Sequence, residues 1–195
     1  MHSDMQADVE AEQADVAGTG VDVRPVGPEP DLARALAEVL IDCVEGGASV
    51  SFMLPLEQQR AEDFWTATLE SAQRGERIVF VAEERDSHAV VGTVQVILTA
   101  PENQPHRGEI AKMLVHRRAR RRGVADALMR AAESAALAAG KSLLVLDTSS
   151  GDAERVYLRL GWQRVGVIPS YAMWPNGGFV DTTVFYKHLT ATEDG

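Results

Sequence analysis

Two hydrophobic periodicities alternate along this chain, and their order predicts most of the fold. Apolar residues recur at three- and four-residue intervals over 31–44 (Leu32, Leu36, Val39, Leu40), over 57–73 around Phe64, Trp65 and Leu69, and over 124–139 (Val124, Leu128, Ala131, Ala135, Ala138). Each stretch reads as an amphipathic helix, and Gly140 closes the third. A shorter helix is expected over 154–160. Runs rich in β-branched and alternating apolar residues at 21–26, 78–83, 89–100, 109–116, 143–146, 163–167 and 182–187 read as strands. The charged turn at 84–88 joins the second and third of these as an antiparallel hairpin. Leu143 to Leu146 is continuously apolar, as in a strand buried on both faces, and the strand, helix, strand order over 109–146 implies a parallel crossover. Pro175, Asn176, Gly177 and Gly178 make the turn before the last strand.

A chain of 195 residues suits one domain that buries roughly 70% of its unfolded surface. Residues 1–20 carry five acidic side chains, no Lys or Arg and no aromatic, so a disordered acidic tail is expected there, then a domain over 21–190 and a short tail at 191–195. The net charge of −10 repels nucleic acid and anionic membrane, and excludes both as partners. Cys43, the one cysteine, rules out an internal disulfide and a Cys-rich zinc site; its neighbours Leu40, Ile41 and Val44 place it on an apolar helix face. No metal-ligand spacing is present. The N-terminus lacks the basic region and apolar core of a signal peptide, and no apolar run approaches membrane-spanning length, so a cytoplasmic protein is expected. A homodimer is left open.

Candidate chemistry begins at one junction. Five of the 19 Lys and Arg residues fall within 117–122, between the strand that ends at Val115 and the helix that starts at Val124. No Ser, Thr, Asp or Asn between Arg118 and Ala125 can cap that helix, so its first backbone N–H groups lack a local acceptor. An anion would supply one. Gly123 allows close approach to the backbone, the helix dipole favours negative charge, and the arginines add bidentate donors. This is a phosphate site in outline.

The order of elements, together with Arg120, Gly123 and Ala125 matching an Arg/Gln-x-x-Gly-x-Gly/Ala loop, resembles the GNAT superfamily of acetyltransferases over 21–189. Within it, Glu109 to Val115, Leu146-Asp147-Thr148, Ile168 to Tyr171 and Asp181 to Lys187 look most like the tabtoxin-resistance type. The resemblance implies a mixed α/β (α+β) fold: a mostly antiparallel central sheet with a splayed parallel pair and helices on both faces. It also implies an acetyl-CoA site. The pantetheine arm would pair with Met113, Leu114 and Val115, and the pyrophosphate would lie over Arg120, Arg121, Arg122, Gly123, Val124, Ala125 and Asp126.

Acetyl transfer needs a neutral amine, and deprotonating a lysine-like group at pH 7 costs about 4.6 kcal/mol. The resemblance assigns the base to Glu109, with Asp147 at the end of the neighbouring strand as its partner through a shared water, and assigns Tyr157 as proton donor to the departing thiolate. Trp65, Tyr171 and Trp174 fall on segments that flank the acceptor pocket in the family. His106 and His116 read as surface residues. The function expected is therefore acetyl transfer from acetyl-CoA to the primary amine of a small molecule: a toxin, an antibiotic or an amino-acid-like metabolite. Competing readings are acetylation of a protein amine and a non-catalytic acyl-CoA-binding regulator.

Overall fold

Seven strands form one sheet in a computed structural model that describes residues 19–190. β1 (Val21–Val26) lies antiparallel to β2 (Arg77–Glu84), β2 to β3 (Val90–Ile97), and β3 to β4 (Arg107–Val115). β4 pairs parallel with β5 (Leu143–Thr148), but only from Arg107 to Glu109. β7 (Phe179–His188) is inserted antiparallel between β5 and the edge strand β6 (Gln163–Met173). The expected tails fall on 1–18 and 191–195, outside the described residues, apart from Thr19 and Gly20.

Among the described residues four α-helices cover the sheet, two on each face. α3 (Val124–Ala138) and α4 (Gly151–Arg159) pack against Phe80, Val94, Val96, Ile110, Leu144 and Leu146. α1 (Leu32–Glu45) and α2 (Gln58–Gln73) pack against Val79, Val81 and Leu114. Period-two alternation explains how β2 feeds both cores. β4 breaks that rule. Ile110 and Leu114 are an even number of residues apart, yet they lie in opposite cores. The cause is a bulge: Thr93 and Gln95 on β3 face Leu114 and Ala111, so β4 carries one extra residue, and Lys112 adopts a φ of 49° there.

The main departure from the sequence reading is β6. It continues through Pro169 to Met173, well past the expected end at 167, with a register shift between Ile168 and Ala172 and a φ of 52° at Ser170. Proline is tolerated because this is an edge strand, whose outer side needs no donor. β3 is shorter than expected and ends at Ile97, whereas β7 begins earlier, at Phe179. The expected turn is present: the Trp174 N–H donates to the Gly178 carbonyl at 2.9 Å. That turn is held by the α1–α2 loop, where the Leu54 N–H donates to the Pro175 carbonyl and the Ser49 hydroxyl to the Met173 carbonyl, each at 2.8 Å.

Candidate active site

The end of the β4–β5 pairing opens the sheet. Among the described residues the β5-facing edge of β4 has no strand beside it beyond Glu109, while the other edge stays paired with β3 as far as Val115. A single extended chain fits such a gap, because it can add main-chain hydrogen bonds as a further strand would. At the top of the gap, Gly123 is the N-cap of α3 with a φ of 79° and no side chain caps the helix. The first amide engaged in α3 is that of Ala127, which donates to the Gly123 carbonyl at 3.1 Å. The amides of Val124, Ala125 and Asp126 are thus turned outward for an anion. A Cβ at Gly123 would come within 3.1 Å of Thr19 Cγ2, so the loop has little room for a side chain.

The arginines divide into two groups. Arg117 clasps Asp42, with its backbone N–H at 2.8 Å and its Nε at 2.9 Å. Burial alone would raise the Asp42 pKa, but the hydrogen bonds from Arg117 outweigh it, and the net shift is downward. Arg118 and Arg122 both pair with Glu84, at 3.5 and 2.9 Å. Arg120 donates to the Val115 carbonyl, and Arg121 has a φ of 59°. Neither Arg120 nor Arg121 has a carboxylate partner among the described residues. The cluster is therefore partly a brace for the loop and partly a free donor set.

On the α1–α2 face, Glu109 lies in register with Val145, and Asp147 follows two residues later on β5, which places the two carboxylates on the same side of the gap. Thr182 Oγ1 donates to Asp147 Oδ2 at 2.7 Å and orients that carboxylate. Tyr157 on α4 is buried between Trp162 and Phe185, with ring centroids 6.0 and 5.8 Å away. Burial first, and the negative charge of Asp147 second, push its pKa well above the ordinary tyrosine value. The phenol is held as a protonated acid. Ser150 caps α4 through the Ala153 N–H at 3.3 Å and so fixes the start of the helix that carries Tyr157.

The sequence model of the acetyltransferase (GNAT) family matches residues 37–162. The chain belongs to this family. By that membership it is an acyltransferase. Its fold is similar to that of an N-acetyltransferase from Staphylococcus aureus Mu50, with 17% identity, a TM-score of 0.71, and coverage of 86% of this chain and 99% of that one. A ribosomal-protein-alanine N-acetyltransferase from Brucella melitensis matches at 22% identity and a TM-score of 0.71, over 86% and 99%. A GNAT superfamily phosphinothricin acetyltransferase from Sinorhizobium meliloti, in complex with acetyl-CoA, matches at 16% identity and a TM-score of 0.72, over 90% and 92%. At these identities the likeness shows the fold.

The GNAT fold corrects one expectation and adds residues the sequence reading passed over. Trp65 has no exposed surface and packs in the α1–α2 core, so it does not line an open pocket. The ring of its neighbour Phe64 is only partly buried, with its centroid 5.7 Å from the Lys112 ammonium. One residue of helix phase separates the two roles. Tyr171 and Trp174 are exposed, and Trp174 lines a groove of about 500 Å³ beside Thr148, between α4 and the β6–β7 hairpin. Lys112 and Thr182 carry no local signal of a role, because each reaches the candidate site through the bulge or a long-range strand pairing. Cys43 is buried with its thiol 3.5 Å from the Val115 carbonyl, and burial raises its pKa, which leaves it an inert packing residue. His106 is exposed, while His116 is half-buried and accepts from the Arg118 N–H at 3.2 Å. Among the described residues no His, Cys, Asp and Glu group could hold a metal, and no helix is long and apolar enough to cross a membrane.

Proposed function

We propose that this protein transfers the acetyl group of acetyl-CoA to the primary amine of a small molecule, as a cytoplasmic enzyme of the tabtoxin-resistance type of GNAT acetyltransferase. The observation that carries this reading is the placement of Glu109 and Asp147 on one side of the β4–β5 gap, with the uncapped start of α3 at its end. The residues present fit the co-substrate. Outward amides at Val124, Ala125 and Asp126 suit the pyrophosphate, and the unpaired edge of β4 suits the pantetheine arm. Acetyl-CoA supplies the activated thioester carbonyl and a thiolate leaving group.

The chain's own groups do the rest. Glu109, with Asp147 through a water, takes the proton that an ammonium acceptor must lose, and Thr182 keeps Asp147 turned for that role. A backbone N–H of Met113, Leu114 or Val115 donates to the carbonyl oxygen as charge builds on it. Tyr157, kept protonated by burial, delivers its proton to sulfur. The test is acetyl-CoA-dependent thiol release across a broad amine panel. Wild type should turn over at least one amine, and Glu109→Gln should bind acetyl-CoA normally while losing most of that turnover. Acetyl-CoA binding with no turnover on any amine would favour a non-catalytic binding module.

A further inference from the structure

Lys112 has no part in the chemistry above, yet the fold goes to some length to aim it into the acceptor side of the gap. Without the bulge its side chain would point at the α3 core, beside Ile110. With the bulge, Ala111 and Lys112 both face α1 and α2, and a lysine is held at a φ of 49°, a left-handed conformation that costs an L-residue roughly 1–2 kcal/mol. The ammonium donates to Ser51 Oγ at 3.2 Å and lies over the Phe64 ring at 5.7 Å. Burial lowers its pKa and Arg77 adds to that, Asp147 and Glu109 offset it only through space, and the side chain makes no ion pair among the described residues. Half-buried ammonium groups are ordinarily paired.

A second observation lies on the same face. Gln95 is 1% exposed and stands across from Ala111 in the β3–β4 register. Its Oε1 accepts from Arg77 Nη1 at 2.8 Å, which turns Nε2 the other way, and that buried donor has no acceptor among the described residues. The face thus carries an ammonium whose one described acceptor is a neutral hydroxyl and a buried amide donor with none, and on the same face Glu109 and Asp147 have no cation partner among the described residues. The two sets lie side by side in one gap, the arrangement a zwitterion would fill.

We propose that Lys112 receives an anionic group of the acceptor, a carboxylate or another oxyanion of similar size, while the acceptor's amine faces Glu109 and Asp147. The acceptor is then an amino acid or a close analogue rather than a simple amine. This rests on the acetyltransferase reading and narrows its substrate class.

Matched pairs of amines test it on the full-length protein, each pair being a free amino acid and its carboxamide (leucine and leucinamide, methionine and methioninamide, glutamate and its α-amide), assayed by thiol release from acetyl-CoA. Wild type should prefer the free acid by about 10- to 100-fold in kcat/KM. Lys112→Met should bring that ratio towards one by raising KM for the free acid, and Lys112→Arg should restore part of it. Equal use of both pair members by wild type overturns the proposal, and this arm holds even if a variant fails to fold. A fall in kcat that is equal on both members in Lys112→Met also overturns it, as does an acetyl group found on Lys112 itself by mass spectrometry. Failure of every amine to turn over, with acetyl-CoA still raising the melting temperature, removes the acetyltransferase reading and the anchor together.

Discussion

The two ends of the proposed site, one for the cofactor and one for the acceptor, are built in opposite ways. The cofactor end uses consecutive residues, 120–126, and mostly backbone donors at one helix start. The acceptor end uses side chains from separate elements: Lys112 and Glu109 from β4, Asp147 from β5, Phe64 from α2, Ser51 from the α1–α2 loop and Thr182 from β7. Backbone donors tolerate sequence change around them. A side-chain constellation is set residue by residue, so the acceptor end is where specificity is decided. The β6–β7 turn is tied to the α1–α2 loop by two described hydrogen bonds, those at Leu54 and Ser49.

Substitutions can pull the two ends apart. The largest effect is expected from Glu109→Gln combined with Asp147→Asn, which should lower kcat about 10²- to 10⁴-fold at pH 7. Acetyl-CoA should still raise the melting temperature of that variant as it does for wild type. A loss below tenfold would take the base role away from this pair. Tyr157→Phe should cost about 10- to 100-fold in kcat. Its pH profile sharpens the assignment. Burial and Asp147 raise the Tyr157 pKa, the shift that favours the neutral phenol, so the donor stays protonated above the ordinary tyrosine range. The gap between wild type and Tyr157→Phe should therefore stay constant from neutral pH to about pH 10. A gap that closed as the pH rose towards that point would mean a phenol that titrates normally.

Changes at the cofactor end should read out in binding. Gly123→Ala places a methyl group 3.1 Å from Thr19 Cγ2 at a left-handed backbone position, and should weaken acetyl-CoA binding about tenfold in a calorimetric titration, with kcat at saturating cofactor little changed. An equal fall in kcat would show that the loop also shapes the acceptor end. The smallest contrast is between two neighbouring arginines. Arg122 is neutralised by Glu84 and Arg121 is not, so Arg121→Ala should weaken acetyl-CoA binding a few-fold more than Arg122→Ala, and salt should shrink the difference.

The uncapped helix start proposed for the cofactor was legible in the sequence. A helix without a capping side chain, opened by glycine and preceded by arginines, is a local feature, and helix starts obey local rules of backbone satisfaction and dipole. The split of the arginines into braces and free donors was not legible, because Asp42 and Glu84 reach them from α1 and β2. Most element positions also followed from periodicity, for the same local reason. β6 was underestimated because Pro169 ends a strand in local terms, and only the sheet order makes this strand an edge that can accept it.

What the sequence by itself determined, then, is the succession of helices and strands and the glycine-opened start of α3 that no side chain among the described residues caps. Tertiary structure alone decided which side chains meet in the acceptor pocket. Strand register and bulges depend on partners far along the chain, and one extra residue in β4 reverses the face of every side chain beyond it. That single insertion turns Lys112 towards Ser51 and Phe64, and one step of helix phase on α2 sends Trp65 into the core and Phe64 towards Lys112.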